Sequence, residues 1–287
     1  MSSTLVQVIV SGLLLGAVYA LFSSGLTLIW GMMNVINFAH GDFVMLAMYT
    51  AFVIWKLLGL GPAASVPVAA LVLATVGVIA YFALVRHIMR GPMIAQILGT
   101  FGLALLLRYT VFWAFGANFL SLPDNLVGGT FDILGIRIQA SRLLAGSVAV
   151  LVTLGLHLLL TRTALGSRML AVSEDAAAAQ LMGIRPDHMQ AIAWALAAGA
   201  TGIAGALIAT FFYVAPTVGE TLAIVAFVTV SLGGFGSVPG ALVAGLLIGV
   251  IESLSAYMIG AVYKDIVVYS LFVAVLWFRP QGLMGKM

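Results

Sequence analysis

Residues 5–39, LVQVIVSGLLLGAVYALFSSGLTLIWGMMNVINFA, contain no Asp, Glu, Lys or Arg. As one straight helix rising 1.5 Å per residue they would run about 50 Å, whereas a hydrocarbon core of ~30 Å is crossed by about 20 apolar residues. The tract is too long for one crossing and is expected to break. Gly31, Asn34, Asn37, His40 and Gly41 interrupt its apolar pattern, which puts the break within 25–41. A second overlong tract, 221–251, holds Gly233-Gly234-Phe235-Gly236-Ser237-Val238-Pro239-Gly240. Glycines end one helix there, while Ser237 and Pro239 suit the start of the next.

The rest of the chain has the same character. Of 287 residues 63% are apolar, with 12 Lys+Arg against 9 Asp+Glu and a mean hydropathy of +1.20. A soluble domain carries roughly a quarter of its residues as charges to cover its outside, so the solvent for most of this surface is lipid. The same figures exclude disorder, and a net charge of +3 spread along the chain makes no basic patch for nucleic acid. The absence of cysteine removes disulfides, Cys-ligated zinc and thiol catalysis. His40, His87, His157 and His188 have no ligand-like spacing, so no metal and no cofactor is expected. No basic residue precedes Lys56, so the apolar stretch from Leu5 reads as a retained span and not as a secretory leader. Further tracts at 42–60, 63–85, 93–115, 142–160, 189–212 and 264–279 give an all-α polytopic membrane protein of eight or nine crossings, with Gly-broken or re-entrant segments near 25–41 and 233–240.

Basic residues gather at Arg86 with Arg90, at Arg162, Arg168 and Arg185, and at Arg279 with Lys286; the positive-inside rule assigns these loops and the C-terminus to the cytoplasm. Loop 116–141 then faces outside, where Pro123, Asp124, Gly128, Gly129 and the alternation Phe131/Ile133/Ile136/Ile138 predict a small hairpin. Within the inner loop 161–190, Ser173 is expected to cap a short helix carrying Glu174 and Asp175 in its first turn, Gly183 to stop it, and Asp187 to open the next span. Such a helix suits a docking element for a cytoplasmic partner; it is equally a tidy loop obeying the charge rule.

Charges inside spans are costly and often functional. Glu252 falls midway along its span and is expected to pair with a buried polar group. Arg108 lies some 12 Å from the outer end of its own span and is expected to snorkel part of that distance, while Asp42 and Glu220 fall near predicted span boundaries. Asn34, Asn37 and His40 sit where the backbone departs from helix, which at membrane depth is tolerated only inside protein or along a cavity. They read either as part of a translocation path, together with Gly41, Gly234, Gly236 and Ser237, or as a structural joint. Series such as Gly199/Gly202/Gly205 permit close helix contact. The shared plan of the two overlong tracts, helix, Gly-rich break, helix, suggests an internal repeat.

Three motifs resemble one family. Gly166 to Ile184 is similar to the cytoplasmic loop of permeases in branched-chain amino-acid ABC importers. Val35-Ile36-Asn37-Phe38-Ala39-His40-Gly41-Asp42-Phe43 is similar to that family's Ile-Asn-Phe-Ala-His-Gly-Glu-Phe run. Leu232 to Ala241 is similar to its Leu-Gly-Gly-Xaa-Gly-Ser-Xaa-Xaa-Gly-Ala run, and Arg279-Pro280-Gln281-Gly282-Leu283 also fits. The resemblance spans the chain in order and points to the shorter, LivH-like permease, with residues 1–287 forming a single permease domain. Where the family often has Lys-Ala-Phe, Val225-Ala226-Phe227 stands here. The resemblance implies a second, LivM-like permease, two ATP-binding subunits and an extracytoplasmic solute-binding protein as partners, with Arg168, Glu174, Asp175, Gln180 and Gly183 in the ATPase-coupling loop.

The chain has no phosphate-binding loop of its own: its one Gly-Lys pair, Gly285-Lys286, is followed by Met and not by Ser or Thr. ATP hydrolysis is accordingly expected on separate subunits. Permeases for urea or an aromatic or small organic acid are the nearest alternatives, and an ion-coupled secondary transporter fits broken helices too. An intramembrane enzyme is disfavoured, since neither a Gly-Xaa-Ser-Gly site nor His-Glu-Xaa-Xaa-His occurs.

Overall fold

The computed structural model describes residues 2–123, 127–133, 136–279 and 281–285; Asp124, Pro280 and Lys286, named above, lie outside the described residues. Among the described residues the regular structure is helical apart from one hairpin. α1 (Ser2–Met33) is followed by α2 (His40–Leu58), α3 (Pro62–Ala80), which runs through a π-helical turn (Tyr81–Val85) into the short α4 (Arg86–Ile88), and α5 (Met93–Phe115). Strands β1 (Thr130–Ile133) and β2 (Ile136–Gln139) pair antiparallel with Phe131 opposite Ile138, as the alternation predicts. Then come α6 (Ala140–Arg162), α7 (Ala164–Glu174), α8 (Ala176–Leu181), α9 (Pro186–Ile208), α10 (Val218–Gly233), α11 (Val238–Met258) and α12 (Lys264–Phe278).

Among the described residues, seven helices are long and apolar enough to cross a bilayer. The sequence count of eight or nine exceeds this: α10 and α12, with 16 and 15 residues, are each short of a full crossing. The first break is narrower and later than the pattern predicts. α1 continues through Gly25 and Gly31 to Met33, and the chain leaves the helix only over 34–39. Both glycines are packing positions: a Cβ on Gly25 would stand 2.7 Å from the Ala197 carbonyl oxygen, and one on Gly31 would stand 3.1 Å from Gly236 Cα. Glycine in a membrane helix therefore marks a contact at least as often as a break.

Chain direction alternates between two ends of the bundle. At the hairpin end, Gln7 Nε2 donates to the Arg137 carbonyl, and Leu120 and Val214 exchange backbone hydrogen bonds. At the opposite end Gly31 meets Gly236, and the tail residue Leu283 donates to the Leu232 carbonyl. Thus α1, α3, α10 and α12 run away from the hairpin end, and α2, α5, α9 and α11 run towards it.

The packing is reciprocal. α1 seats on α11 through Gly12, Gly16, Gly245 and Gly249, and α3 seats on α9 through Gly77 and Gly202, each glycine lying so near the facing backbone that a Cβ would fall within 3.0 Å of it. α1 also meets α9, and α2 meets α10. Exchanging α1–α2–α3–α5 with α9–α10–α11–α12 maps this pattern onto itself with every direction reversed, the geometry of an inverted repeat. The repeat anticipated between the tracts at 5–39 and 221–251 is paired differently: the partner of α1 with α2 is α9 with α10, because helix order and packing, not the Gly-rich run, carry the correspondence.

Without a hydrophobic drive between helices in lipid, such seams depend on close backbone approach. A Cβ on Gly245 would stand 2.6 Å from the Ala20 backbone nitrogen, whereas one on Gly155 meets nothing within 4 Å. Gly245→Val is expected to destabilise the protein by roughly 2 kcal/mol through overpacking, and Gly155→Ala to stabilise it by up to about 1 kcal/mol through helix propensity. Thermal unfolding in mild detergent measures both.

Candidate functional site

The break at 34–39 is held by hydrogen bonds from within it and from neighbouring helices. Asn34 takes positive φ (51°), which asparagine tolerates better than most residues, and its N–H still donates to the Trp30 carbonyl. Thr100 of α5 donates its hydroxyl to the Ile36 carbonyl. Asn37 is buried; its Oδ1 accepts from the Ala39 N–H at 3.1 Å and its carbonyl accepts from the His40 N–H. His40 Nε2 lies 2.7 Å from the Phe22 carbonyl oxygen; that oxygen can only accept, so the imidazole carries a proton on Nε2. Phe22 is eleven residues before Met33, so the chain has doubled back by about 16 Å of helix rise before α2 begins. α2 therefore starts deep in the bundle. Of the sequence-derived path residues, Asn37 and His40 hold this joint together, Gly41 lies against α10 at Gly219 and Ala223, and the Asn34 side chain is exposed.

α10 also starts deep. The return from α9 over 209–217 brings Val218 and Gly219 against the start of α2, where a Cβ on Gly41 would stand 2.0 Å from the Gly219 carbonyl oxygen. Each of these helices carries an acid at its third position, Asp42 in α2 and Glu220 in α10, and Arg108 of α5 bonds both. Arg108 Nε and Nη2 donate to the two Asp42 oxygens at 3.0 and 3.3 Å, and Nη1 donates to Glu220 Oε2 at 3.0 Å. Exposure differs sharply along the row: the side chains of Asp42, Arg108 and Glu220 are 1%, 22% and 66% accessible. Arg108 therefore pairs inside the bundle; the expected snorkelling gives way to a bidentate carboxylate within reach, which satisfies the guanidinium fork better than a stretched path to the interface. Glu252 of α11, expected to find a buried partner, pairs with Lys264 at the start of α12.

The second break is a tight turn at the end of the bundle opposite the hairpin. Gly234 and Gly236 take positive φ (99° and 83°), and Ser237 caps α11 by accepting from the Gly240 N–H, as the sequence predicts. The Gly236 N–H donates to Thr27 Oγ1 of α1 at 2.8 Å, and the tail closes over the turn, Leu283 and Met284 donating to the Leu232 and Gly233 carbonyls. Gly234, Gly236 and Ser237 thus lie at one end of the bundle, away from the Asp42–Arg108–Glu220 row.

That same end carries α7 and α8. The expected cap is corrected here: Ser173 lies inside α7 with its hydroxyl donating to the Leu170 carbonyl, and Asp175 is the cap, its Oδ1 accepting from the Ala177 and Ala178 N–H groups at 2.9 Å each. Glu174 is the last residue of α7. A carboxylate accepting two backbone N–H bonds is a stronger cap than a hydroxyl, and the helix breaks where that cap forms. Gly183, at φ 82°, ends the turn after α8 as predicted, with the Ile184 N–H returning to the Ala179 carbonyl. Arg168 lines a cleft with Met182, Gly183, Arg185 and His188. Gln180 is exposed, and beyond it Leu181 and Met182 are 90% and 83% accessible.

A bundle of apolar helices, two of them starting at depth, with an ion row where they start and a short exposed helix at one end, is the architecture of a polytopic membrane protein. The chain belongs to the family described as branched-chain amino acid transport system / permease component, whose model matches residues 8–276. It is 33% identical to the high-affinity branched-chain amino acid transport system permease protein BraD of Pseudomonas aeruginosa, over 98% of this chain and 95% of that protein. It is 29% identical to the corresponding permease protein LivH of Salmonella typhimurium, over 98% and 95%. In fold it is similar to PsaBC from Streptococcus pneumoniae in complex with Fab, with a TM-score of 0.54 at 10% identity, over 94% of this chain and 91% of that one.

The exposure gradient along the ion row sets what each acid does for stability. Asp42→Asn leaves Arg108 half-paired inside the bundle and is expected to destabilise by about 3 kcal/mol. Glu220→Gln removes an exposed partner and is expected to change stability by less than about 1 kcal/mol. Thermal unfolding of the two variants in detergent measures the difference.

Proposed function

We propose that residues 1–287 form the single permease domain of an ATP-driven importer that moves branched-chain or other neutral amino acids across the inner membrane. The chain works beside a LivM-like second permease, two ATP-binding subunits and an extracytoplasmic solute-binding protein, with its C-terminus in the cytoplasm. The clustering of Arg162, Arg168, Arg185 and Arg279 at the end that carries α7 and α8 supports that orientation. The substrate class draws on the family and on the relatives' names.

One observation carries the coupling role. α8 is a capped helix at the end of the bundle whose tip presents Leu181 and Met182 almost fully to solvent. Two large apolar side chains side by side at such a tip suit a pocket on another protein, with Gln180, Glu174, Asp175 and Arg168 as its polar rim. The element is not loose: Asp175 fixes its start, and Met169, Val172 and Ala179 are buried where α7 and α8 rest on the spans. Closure of the ATP-binding subunits pushes α8, α7 passes the push to α1 and α9 on which it packs, and these carry the joints at which α2 and α10 begin. ATP is hydrolysed on the partner chains, and this chain converts their movement into alternating access.

The test is reconstitution of the whole importer in proteoliposomes with ATP inside, following leucine uptake. Leu181→Asp combined with Met182→Asp, both at exposed positions, is expected to lower uptake at least tenfold and to release the ATP-binding subunits during purification in mild detergent. Uptake and co-purification equal to those of the unaltered chain would remove α8 from the coupling path.

A further inference from the structure

Glu220 is out of place for a residue facing hydrocarbon. From it α10 continues thirteen residues to Gly233, about 20 Å, and from its neighbour Asp42 α2 continues sixteen residues to Leu58, about 24 Å. On α5, Arg108 is seven residues, about 10 Å, from Phe115, so by all three helices the ion row lies inside a ~30 Å core and not at its edge. A carboxylate two-thirds accessible at that depth is stable only against water or protein, because lipid does not solvate it. Thr217, just before α10, and Thr221 within it are exposed beside Glu220, so the polar character extends beyond the single acid. One and two turns further along the face of Glu220 come Ile224, exposed, and Phe227, whose ring lies 5.3 Å from that of Phe38. The face thus reads carboxylate and guanidinium, then aliphatic, then aromatic.

The row is also asymmetric. Asp42 holds Arg108 through two bonds and is sealed; Glu220 holds it through one bond from the open side. Breaking the outer bond leaves Arg108 anchored and frees one guanidinium N–H pair and one carboxylate beside it. We propose that the Arg108–Glu220 pair is a passing site for the two charges of an amino-acid zwitterion. The solute ammonium pairs with Glu220, the solute carboxylate takes its place on Arg108 Nη1, and an apolar side chain lies along Ile224 towards Phe227 and Phe38. One ion pair is exchanged for two without any charge leaving the site. The solute moves on as Glu220 returns to Arg108, so the resident carboxylate competes with the solute and keeps the site from becoming a trap.

This inference rests on the importer reading, and the experiment separates the two. The chain has no cysteine, so an introduced one reports its own position. Glu220→Cys and, as a comparison, Leu151→Cys on the exposed face of α6 are placed in the full importer in proteoliposomes. Each is treated with a permanently charged methanethiosulfonate, which does not enter lipid. Labelling of Glu220→Cys is expected at least tenfold faster than that of Leu151→Cys, and slowed by leucine. Equal, slow labelling would mean that the face is closed to water and would overturn the proposal. In parallel, Glu220→Gln is expected to lower leucine uptake at least tenfold with the second permease still co-purifying, and Glu220→Asp to restore most of it. Uptake by the Gln variant within twofold of the unaltered chain overturns the passing site alone. Loss of the second permease from that variant makes Glu220 an assembly contact, which overturns it too. If the unaltered importer takes up no amino acid with ATP, the importer reading itself fails, whatever the labelling.

Discussion

The bond between Arg108 and Asp42 is the constraint on which the interior depends. A guanidinium at membrane depth needs a carboxylate held in fork geometry, and that carboxylate must sit at a helix start that is itself buried. For α2 to start there, the chain leaving α1 has to double back inside protein with its backbone groups satisfied. Three side chains bond main chain at this joint: Thr100 donates to the Ile36 carbonyl, Asn37 accepts from the Ala39 N–H, and His40 ties the start of α2 to the Phe22 carbonyl of α1. One charge pair thus ties the start of α2 to α5 at membrane depth.

Glycine provides the other half of the architecture. The seams α1 with α11 and α3 with α9 bring backbones so close that no Cβ fits at Gly12, Gly16, Gly77, Gly202, Gly245 or Gly249. Such seams are held by close backbone packing and not by interlocking long side chains. The two seams are equivalent positions of the inverted repeat, so the same close packing recurs in both halves.

Much of this is written locally in the sequence. The overlong tract 5–39 announces a break, Ser237 before Val238-Pro239 announces a cap, and Gly183 announces a stop, because each signal lies within a few residues of its effect. The misplacements have local causes as well. Gly25 and Gly31 read as breakers but are contacts, since a single sequence does not say what stands opposite a glycine. Ser173 and Asp175 are both good caps two residues apart, and the one that collects two N–H groups wins. The ion row is hidden in the sequence for a different reason. Arg108 is 66 residues from Asp42 and 112 from Glu220, and a separation that long has no periodicity to betray it. The one available signal was that three charges fell in or beside uncharged tracts, where each needs a partner.

The tail has a bearing on how the molecule is made. The carbonyls at the end of α10 receive the N–H groups of Leu283 and Met284, about fifty residues later in the chain, and Gly282 and Gly285 lie against Gly234 closely enough to exclude any side chain there. During synthesis on the ribosome the last turn of α10 is exposed through the whole emergence of α11 and α12. Its closure waits for residues 282–285, which follow α11 and α12 in the chain.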